Sequence, residues 1–373
     1  MNIMLISREL YPYDIGGKEL FLNFLIQELS RRGNKVWVFS QKAYKWNNNN
    51  VRSTQIKVLS IPYLKTLSYF LGVILSLRKL NPRIDLINIH HHDMNVLGLL
   101  LIKTIYNIPY LITVHGGGLK KWRFKSIFRL AYRNAACVIT VSDGIKHEYG
   151  NRGCKDVLTI PPMLPFERHF MKKEGTLSKY GLDPGSKVLL FLGRLTPGKR
   201  PDFLLKVFIS LGEKYIKRNK VKLIFAGDGP LGASLQKMVE GSGLNQSVKF
   251  LGYVPHHQVG ELFRLADVFI LPSDYEGFPL SVIEAMHYGL TVIGSDTRGI
   301  NEIITHNKNG LLFPKGDAHR LKQYIIDLLE DEEKRAIIGN SAKKHVRKHY
   351  SFSKTVDQYI DIYKKAISSR NTI

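Results

Sequence analysis

A chain of 373 residues with 44% apolar side chains is too long for one ordinary core and too apolar to stay disordered, so two domains are expected. Two cysteines exclude a disulfide framework, while Lys and Arg outnumber Asp and Glu by 24, an excess that attracts phosphates, nucleic acid or acidic lipid head groups. The opening MNIMLISREL lacks the basic and long apolar regions of a secretory signal. The longest apolar stretch, Leu67 to Leu77, stops at Arg78 and is too short to span a bilayer, so a cytoplasmic location is expected.

From the amino end, NIMLIS, KVWVFS, IKVLSI, DLINIH, PYLITVH and ACVITVS read as buried strands. Between them lie helical patterns such as KELFLNFLIQELSRRG, which closes on Gly33. Residues 1–165 carry 23 basic and nine acidic side chains, which makes this half the more basic one. A Pro-rich, charged stretch over residues 160–186 reads as a linker. KVLLFLG, VKLIFAG, VKFLGY, DVFILP and LTVIGS follow as further strands. Near-continuous apolar strands alternating with helices predict an α/β class with parallel sheets covered on both faces. The expectation is two Rossmann-like, doubly wound domains facing across a cleft, at 1–165 and 186–350. In YSFSKTVDQYIDIYKKAI, Phe352, Val356, Tyr359, Ile360 and Tyr363 recur at helical spacing and predict a terminal helix over 351–373.

In such sheets ligands gather at the carboxyl ends of strands, where glycines let backbone N–H groups approach a phosphate. Four loops there carry suitable residues: YDIGGKEL with Gly16 and Gly17, TVHGGGLK with His115, GRLTPGKR with Gly193, Arg194 and Lys199, and DYEGFPLSVIEAM with Glu276 and Glu284. Together they predict a phosphorylated ligand. Gly227, Gly229 and Gly232 match the dinucleotide spacing G-x-G-x-x-G, but the next strand, VKFLGYVP, has no ribose-binding acid, so this reads as a turn and not an NAD site. IHHHDMN, residues 89–95, raises a metal reading. Consecutive histidines do not point one way, and a loop lining the cleft is the preferred reading, with no metal assigned. Zinc spacing, helix-turn-helix and aromatic RNA-binding signatures are absent, so nucleic acid is not an expected partner.

The series GGKE, TVHGG, GRLTPGK, AGDGP, DYEGFPLSVIEAM and NGLLFP resembles the GT-B glycosyltransferases of the large retaining family numbered four. The likeness is strongest from Lys187 to Pro314, and EGFPLSVIE sets Glu276 and Glu284 around seven residues as that family's paired glutamates require. The resemblance implies sugar transfer from a nucleotide-sugar donor to a glycan or lipid-linked acceptor, with retention, no metal and no further cofactor. It implies that Glu276 accepts hydrogen bonds from the donor sugar and Glu284 from the nucleotide's ribose. Gly277, Phe278, Pro279 and Leu280 would offer backbone N–H groups at a helix start, with Pro279 suited to the first helical position. Arg194 and Lys199, both expected at solvent-lined positions, would neutralise the leaving diphosphate. Gly16, Gly17 and Gly193 would line the donor, and His115 would touch its sugar. A front-face displacement needs no enzyme nucleophile, and none is assigned. The terminal helix would cross back to the first domain. The alternatives are a small soluble acceptor, or a non-catalytic anion- or nucleic-acid-binding protein of the same fold. Finally, Lys121, Lys125, Arg129 and Arg133 form a basic stripe beside Trp122 and an apolar one of Phe124, Ile127, Phe128 and Ala131. That stripe predicts either an ordinary surface helix or peripheral attachment to an anionic membrane.

Overall fold

A computed structural model describes residues 1–10, 16–42, 44–56, 62–78, 83–90, 95–116, 125–150, 154, 156–166 and 177–372. The chain divides into two compact units, one of Met1–Pro165 with Ser351–Ile373 and one of Phe166–Tyr350.

The first unit is built on a seven-stranded sheet: β1 (Asn2–Ile6), β2 (Lys35–Ser40), β3 (Val51–Gln55), β4 (Leu86–Ile89), β5 (Tyr110–Val114), β6 (Cys137–Thr140) and β7 (Val157–Thr159). Their spatial order is β3-β2-β1-β4-β5-β6-β7. Each of these pairings is parallel, with Ile3 opposite both Val36 and Leu86. Helices α1 (Gly17–Arg31), α2 (Pro62–Arg78), α3 (Asn95–Tyr106), α4 (Lys125–Asn134) and α5 (Asp143–Gly150) provide the crossovers other than that from β2 to β3. Strands β1, β4 and β5 are mostly apolar because helices cover both faces, and Met4, Leu86 and Ile112 lose all contact with water.

The third strand departs from expectation. It lies at Val51–Gln55, VRSTQ, and residues 57–61 of IKVLSI fall outside the described set. An edge strand faces water along much of its length, so β3 carries the polar residues that hid it from a search for apolar runs. Helix α13 (Phe352–Ser368) belongs to this unit. Its buried face is Thr355, Val356, Tyr359, Ile362, Tyr363 and Ala366, so Ile362 takes the place expected of Ile360. Asn88 Nδ2 donates to the Tyr363 hydroxyl at 2.7 Å, and Thr113 Oγ1 donates to Asn88 Oδ1 at 2.9 Å. These bonds seat the helix on β4 and β5.

The second unit holds β8 (Lys187–Leu192), β9 (Val221–Ala226), β10 (Val248–Gly252), β11 (Val268–Leu271), β12 (Thr291–Ser295) and β13 (Leu311–Phe313), in the order β10-β9-β8-β11-β12-β13. All are parallel. Its helices are α6 (Pro201–Ser210), α7 (Glu213–Arg218), α8 (Gly232–Ser242), α9 (His256–Leu265), α10 (Leu280–His287), α11 (Ala318–Glu330) and α12 (Glu332–His349). Chain order runs outward from β8 to β10 on one side and from β11 to β13 on the other. The order therefore reverses between β8 and β11, and the loops after these two strands part to either side, which opens a crevice at their carboxyl ends.

Candidate functional site

The crevice of the second unit gathers most of the residues singled out in the sequence. Strand β8 ends at Leu192 and runs through Gly193 and an exposed Arg194 into a short 3-10 turn, Pro197–Lys199. The segment after β11 returns beside it, and the Asp274 N–H donates to the Gly198 carbonyl at 2.9 Å. Lys199 Nζ then lies 2.5 Å from Glu276 Oε1, with the Glu276 side chain only 10% exposed and Lys199 28%. The lysine thus sits deeper than the solvent-lined position expected of it. A carboxylate so far out of water needs a partner of this kind. The Glu276 backbone is fixed as well, since its N–H donates to the Arg298 carbonyl at 3.1 Å. Gly299 passes so close, at φ +86°, that a Cβ there would come within 2.4 Å of the Glu276 carbonyl oxygen.

Charge is unevenly satisfied around this pair. Asp274 meets Arg200 at 3.1 Å and Lys315 at 3.2 Å, and Lys199 is held by Glu276. Arg194 has no carboxylate partner among the described residues. One guanidinium is therefore left over at the carboxyl end of β8, where an anion would complete the balance.

The glycines of AGDGPLG now have a structural reason. A Cβ on Gly227 would come within 2.0 Å of the Gly193 carbonyl oxygen, and one on Gly229 within 2.6 Å of the Leu195 carbonyl oxygen. The Gly193 N–H donates to the Ala226 carbonyl and the Leu195 N–H to the Asp228 carbonyl, at 3.0 and 2.9 Å. Close backbone packing against the Arg194 loop, and not dinucleotide binding, accounts for the spacing.

Glu284 lies in the second turn of α10. Val282, Ile283, Ala285 and Met286 are fully buried and pin that helix, which leaves Glu284 at the margin of the core. Pro279 takes the N-cap, at φ −79° and ψ 95°, one place before the first helical position expected for it. Its extended ψ turns the chain into the helix, and its carbonyl accepts the Val282 N–H at 3.1 Å. Gly277 and Phe278 form the approach to that turn, and Leu280 is the first residue of α10. His256 Nε2 donates to Glu284 Oε1 at 2.8 Å. Sequence reading passed over His256. The available signal was its place at the start of a helix, directly after the strand-end loop from Gly252 to Pro255.

In the first unit the matching reversal lies between β1 and β4. After β1, Gly16 caps α1 in an extended conformation and Gly17 opens the helix. Lys18 meets Glu19 at 2.9 Å and Glu9 at 3.0 Å. Burial works against the Lys18 charge, yet these two carboxylates together raise its pKa. At the end of β4, His90 is 1% exposed and does not line an open loop as expected. Its Nδ1 is 3.0 Å from Nε2 of His115 at the end of β5, and the rings stack 5.3 Å apart. Burial, with some help from Lys18, pushes the His90 pKa down to about 3, so the ring is neutral. His90 Nε2 is buried with no partner among the described residues. Placing the proton on Nδ1 leaves only a lone pair dry there, whereas the other tautomer strands an N–H. His90 therefore donates to His115, whose own proton resides on Nδ1. His91, His92, Asp93, Lys121, Trp122 and Phe124 lie outside the described residues.

Two family models cover most of the chain: "Glycosyltransferase Family 4" matches residues 15–168 and "Glycosyl transferases group 1" matches residues 173–345. The chain belongs to glycosyltransferase family 4. Among curated relatives, the enzyme is 26% identical to the N-acetyl-alpha-D-glucosaminyl L-malate synthase of Bacillus anthracis, over 95% of this chain and 94% of that one. Solved structures with the same GT-B fold include a sucrose-phosphate synthase from Thermosynechococcus elongatus, at TM-score 0.84 and 20% identity over 99% of both chains. Anabaena HepE in complex with UDP-glucose follows at TM-score 0.79 and 19% identity, over 99% of this enzyme and 100% of that chain.

Proposed function

We propose that the enzyme transfers a sugar from a nucleotide-sugar to a glycan or lipid-linked acceptor, with retention at the anomeric carbon and without a metal. The observation that carries this reading is Arg194, an exposed guanidinium without a carboxylate partner among the described residues, beside the Lys199–Glu276 pair at the reversal of strand order. A nucleoside diphosphate supplies the missing negative charge. The HepE complex with UDP-glucose supports such a donor in a protein of this fold.

Lys199 has two anions to serve. Without donor it neutralises Glu276 at 2.5 Å. With the diphosphate bound, its charge is shared with the phosphates, and Glu276 is released to accept hydroxyl groups of the sugar. As the glycosidic bond breaks, Arg194 and Lys199 stabilise the charge that grows on the leaving diphosphate, the place where fixed charge lowers a barrier most. Glu284 accepts from the ribose. Gly193 and the segment Gly277, Phe278, Pro279 and Leu280 shape the donor pocket, while Gly16 and Gly17 contribute the first N–H groups of α1. His115, protonated on Nδ1 through its bond from His90, donates to the sugar. Proton NMR of the product's anomeric signal, with EDTA present, tests the reading: an inverted product or loss of turnover to chelation contradicts it.

Two features bear on the acceptor. Leu71 and Leu75 on α2, Leu101 and Ile105 on α3 and Leu130 on α4 are all at least half exposed, with Arg129 and Arg133 exposed beside Leu130. Apolar side chains interleaved with basic ones favour an anionic membrane surface, which suits a lipid-linked acceptor. No helix among the described residues is long and apolar enough to cross a membrane, and the attachment proposed here is a peripheral one. The second reading, a small soluble acceptor, draws on the Bacillus anthracis relative, which is named for L-malate. Sedimentation with vesicles separates the two. Binding that needs anionic lipid and fades with salt supports the first, and no binding at low salt favours the second.

A further inference from the structure

We propose that His256 is a positioning residue: it fixes the plane of the Glu284 carboxylate and so sets how strongly the enzyme prefers ribonucleotides to deoxyribonucleotides. This rests on the reading of Glu284 as the ribose-binding group.

Glu284 has a rigid base and a loose tip. Its backbone is held by the buried faces of α10, but three side-chain torsions separate that backbone from the carboxylate. A carboxylate selects a vicinal diol only if its oxygens stay where the two hydroxyls arrive. His256 supplies the restraint. Its Nε2 is 2.8 Å from Oε1, and the side chains of Glu284 and His256 are only 12% and 17% exposed, which leaves little room for other rotamers. The histidine itself is anchored. It is the first residue of α9, it follows the Pro255 cap, and the Pro255 carbonyl accepts the Gln258 N–H at 2.9 Å. An ionised carboxylate can only accept, so Nε2 carries the proton in this bond whether the ring is charged or neutral. Oε1 keeps one lone pair and Oε2 both, so acceptor sites for two ribose hydroxyls lie in one fixed plane.

His257, the next residue, cannot substitute, because its exposed ring turns to the Gln258 side chain at 3.3 Å. Lys199 and Glu276 form a separate pair, so a change at His256 leaves the leaving-group charge in place.

The experiment is calorimetric titration of the full-length protein with UDP, GDP and their 2′-deoxy counterparts. Wild type is expected to prefer the ribonucleotide by roughly tenfold to a hundredfold, the scale of one charge-assisted hydrogen bond. His256→Ala should bring that preference to within about threefold of unity, whereas His256→Gln, which keeps a side-chain N–H donor, should retain most of it. Glu284→Ala should abolish the preference, and adding His256→Ala to it should change nothing further. Full wild-type preference in His256→Ala, with loss in Glu284→Ala, overturns the positioning role alone. Full preference in Glu284→Ala, or no binding of either diphosphate to wild type, overturns the underlying reading of Glu284. His256→Gln also controls for folding: if it behaves as the alanine variant while melting like wild type, the donor is not what matters and the proposal fails.

Discussion

Lys199 Nζ and Glu276 Oε1 lie 2.5 Å apart, on loops that leave two neighbouring strands, β8 and β11. Phe269 pairs with Leu190 in those strands, and the reversal of strand order between them brings the loops to one place. The pair is a charge balance held in readiness, with the Glu276 side chain almost out of water. Removing the lysine strands a buried carboxylate, so Lys199→Ala should cost about 3 kcal/mol of stability in addition to activity. Lys199→Ala combined with Glu276→Gln should recover most of the stability and none of the activity. Thermal unfolding of the three variants checks this, and additive losses in the double variant would show that the two side chains do not interact.

Arg194 should behave differently. It is exposed and has no carboxylate partner among the described residues, so Arg194→Ala should melt like wild type while kcat falls by roughly two to three orders of magnitude. Steady-state kinetics beside a melting curve separates chemistry from folding.

Gly227 tests the packing beneath Arg194. At φ +137°, with a Cβ position 2.0 Å from the Gly193 carbonyl oxygen, Gly227→Ala must push the Arg194 loop aside. Strain of at least about 2 kcal/mol is expected, and with it a melting temperature lower by roughly 5 °C or more. Activity should fall although no charged group has changed.

The strands that position the site were legible because strands buried on both faces are apolar along most of their length. The edge strands β3 and β7 were not: β3 reads VRSTQ and β7 spans only Val157–Thr159, and neither pattern differs from a loop. At the site, Glu276 and Glu284 stood out through their spacing, and Arg194 and Lys199 through their place at a strand end. Their partners did not. His256 is 28 residues from Glu284 and His90 is 25 from His115, distances that only the folded sheet closes. The glycines of AGDGPLG were legible as a turn, but what they pack against was not.

Acid should destabilise the first unit through His90. Its folded pKa is depressed to about 3, far below the 6.5 of the free side chain. Above pH 6.5 the ring is neutral in both states and contributes no pH dependence. As pH falls through 6.5 the unfolded chain gains a proton that the folded one refuses, so stability drops by at most about 1.4 kcal/mol per pH unit until the folded pKa is reached. His90→Gln should flatten this slope between pH 6.5 and 4.5. All three tryptophans, Trp37, Trp46 and Trp122, belong to the first unit, so denaturant curves followed by tryptophan fluorescence read it without interference from His287 in the second.

The central claim is that Arg194, Lys199 and Glu276 serve the breaking of a bond between a sugar and a nucleoside diphosphate. Its most direct test is release of nucleoside diphosphate from a panel of UDP- and GDP-sugars, measured for wild type, Arg194→Ala and Glu276→Gln. The account predicts turnover of at least one donor by wild type, with both variants reduced at least about a hundredfold. Equal rates in all three proteins, or no release from any donor on the panel, would contradict it.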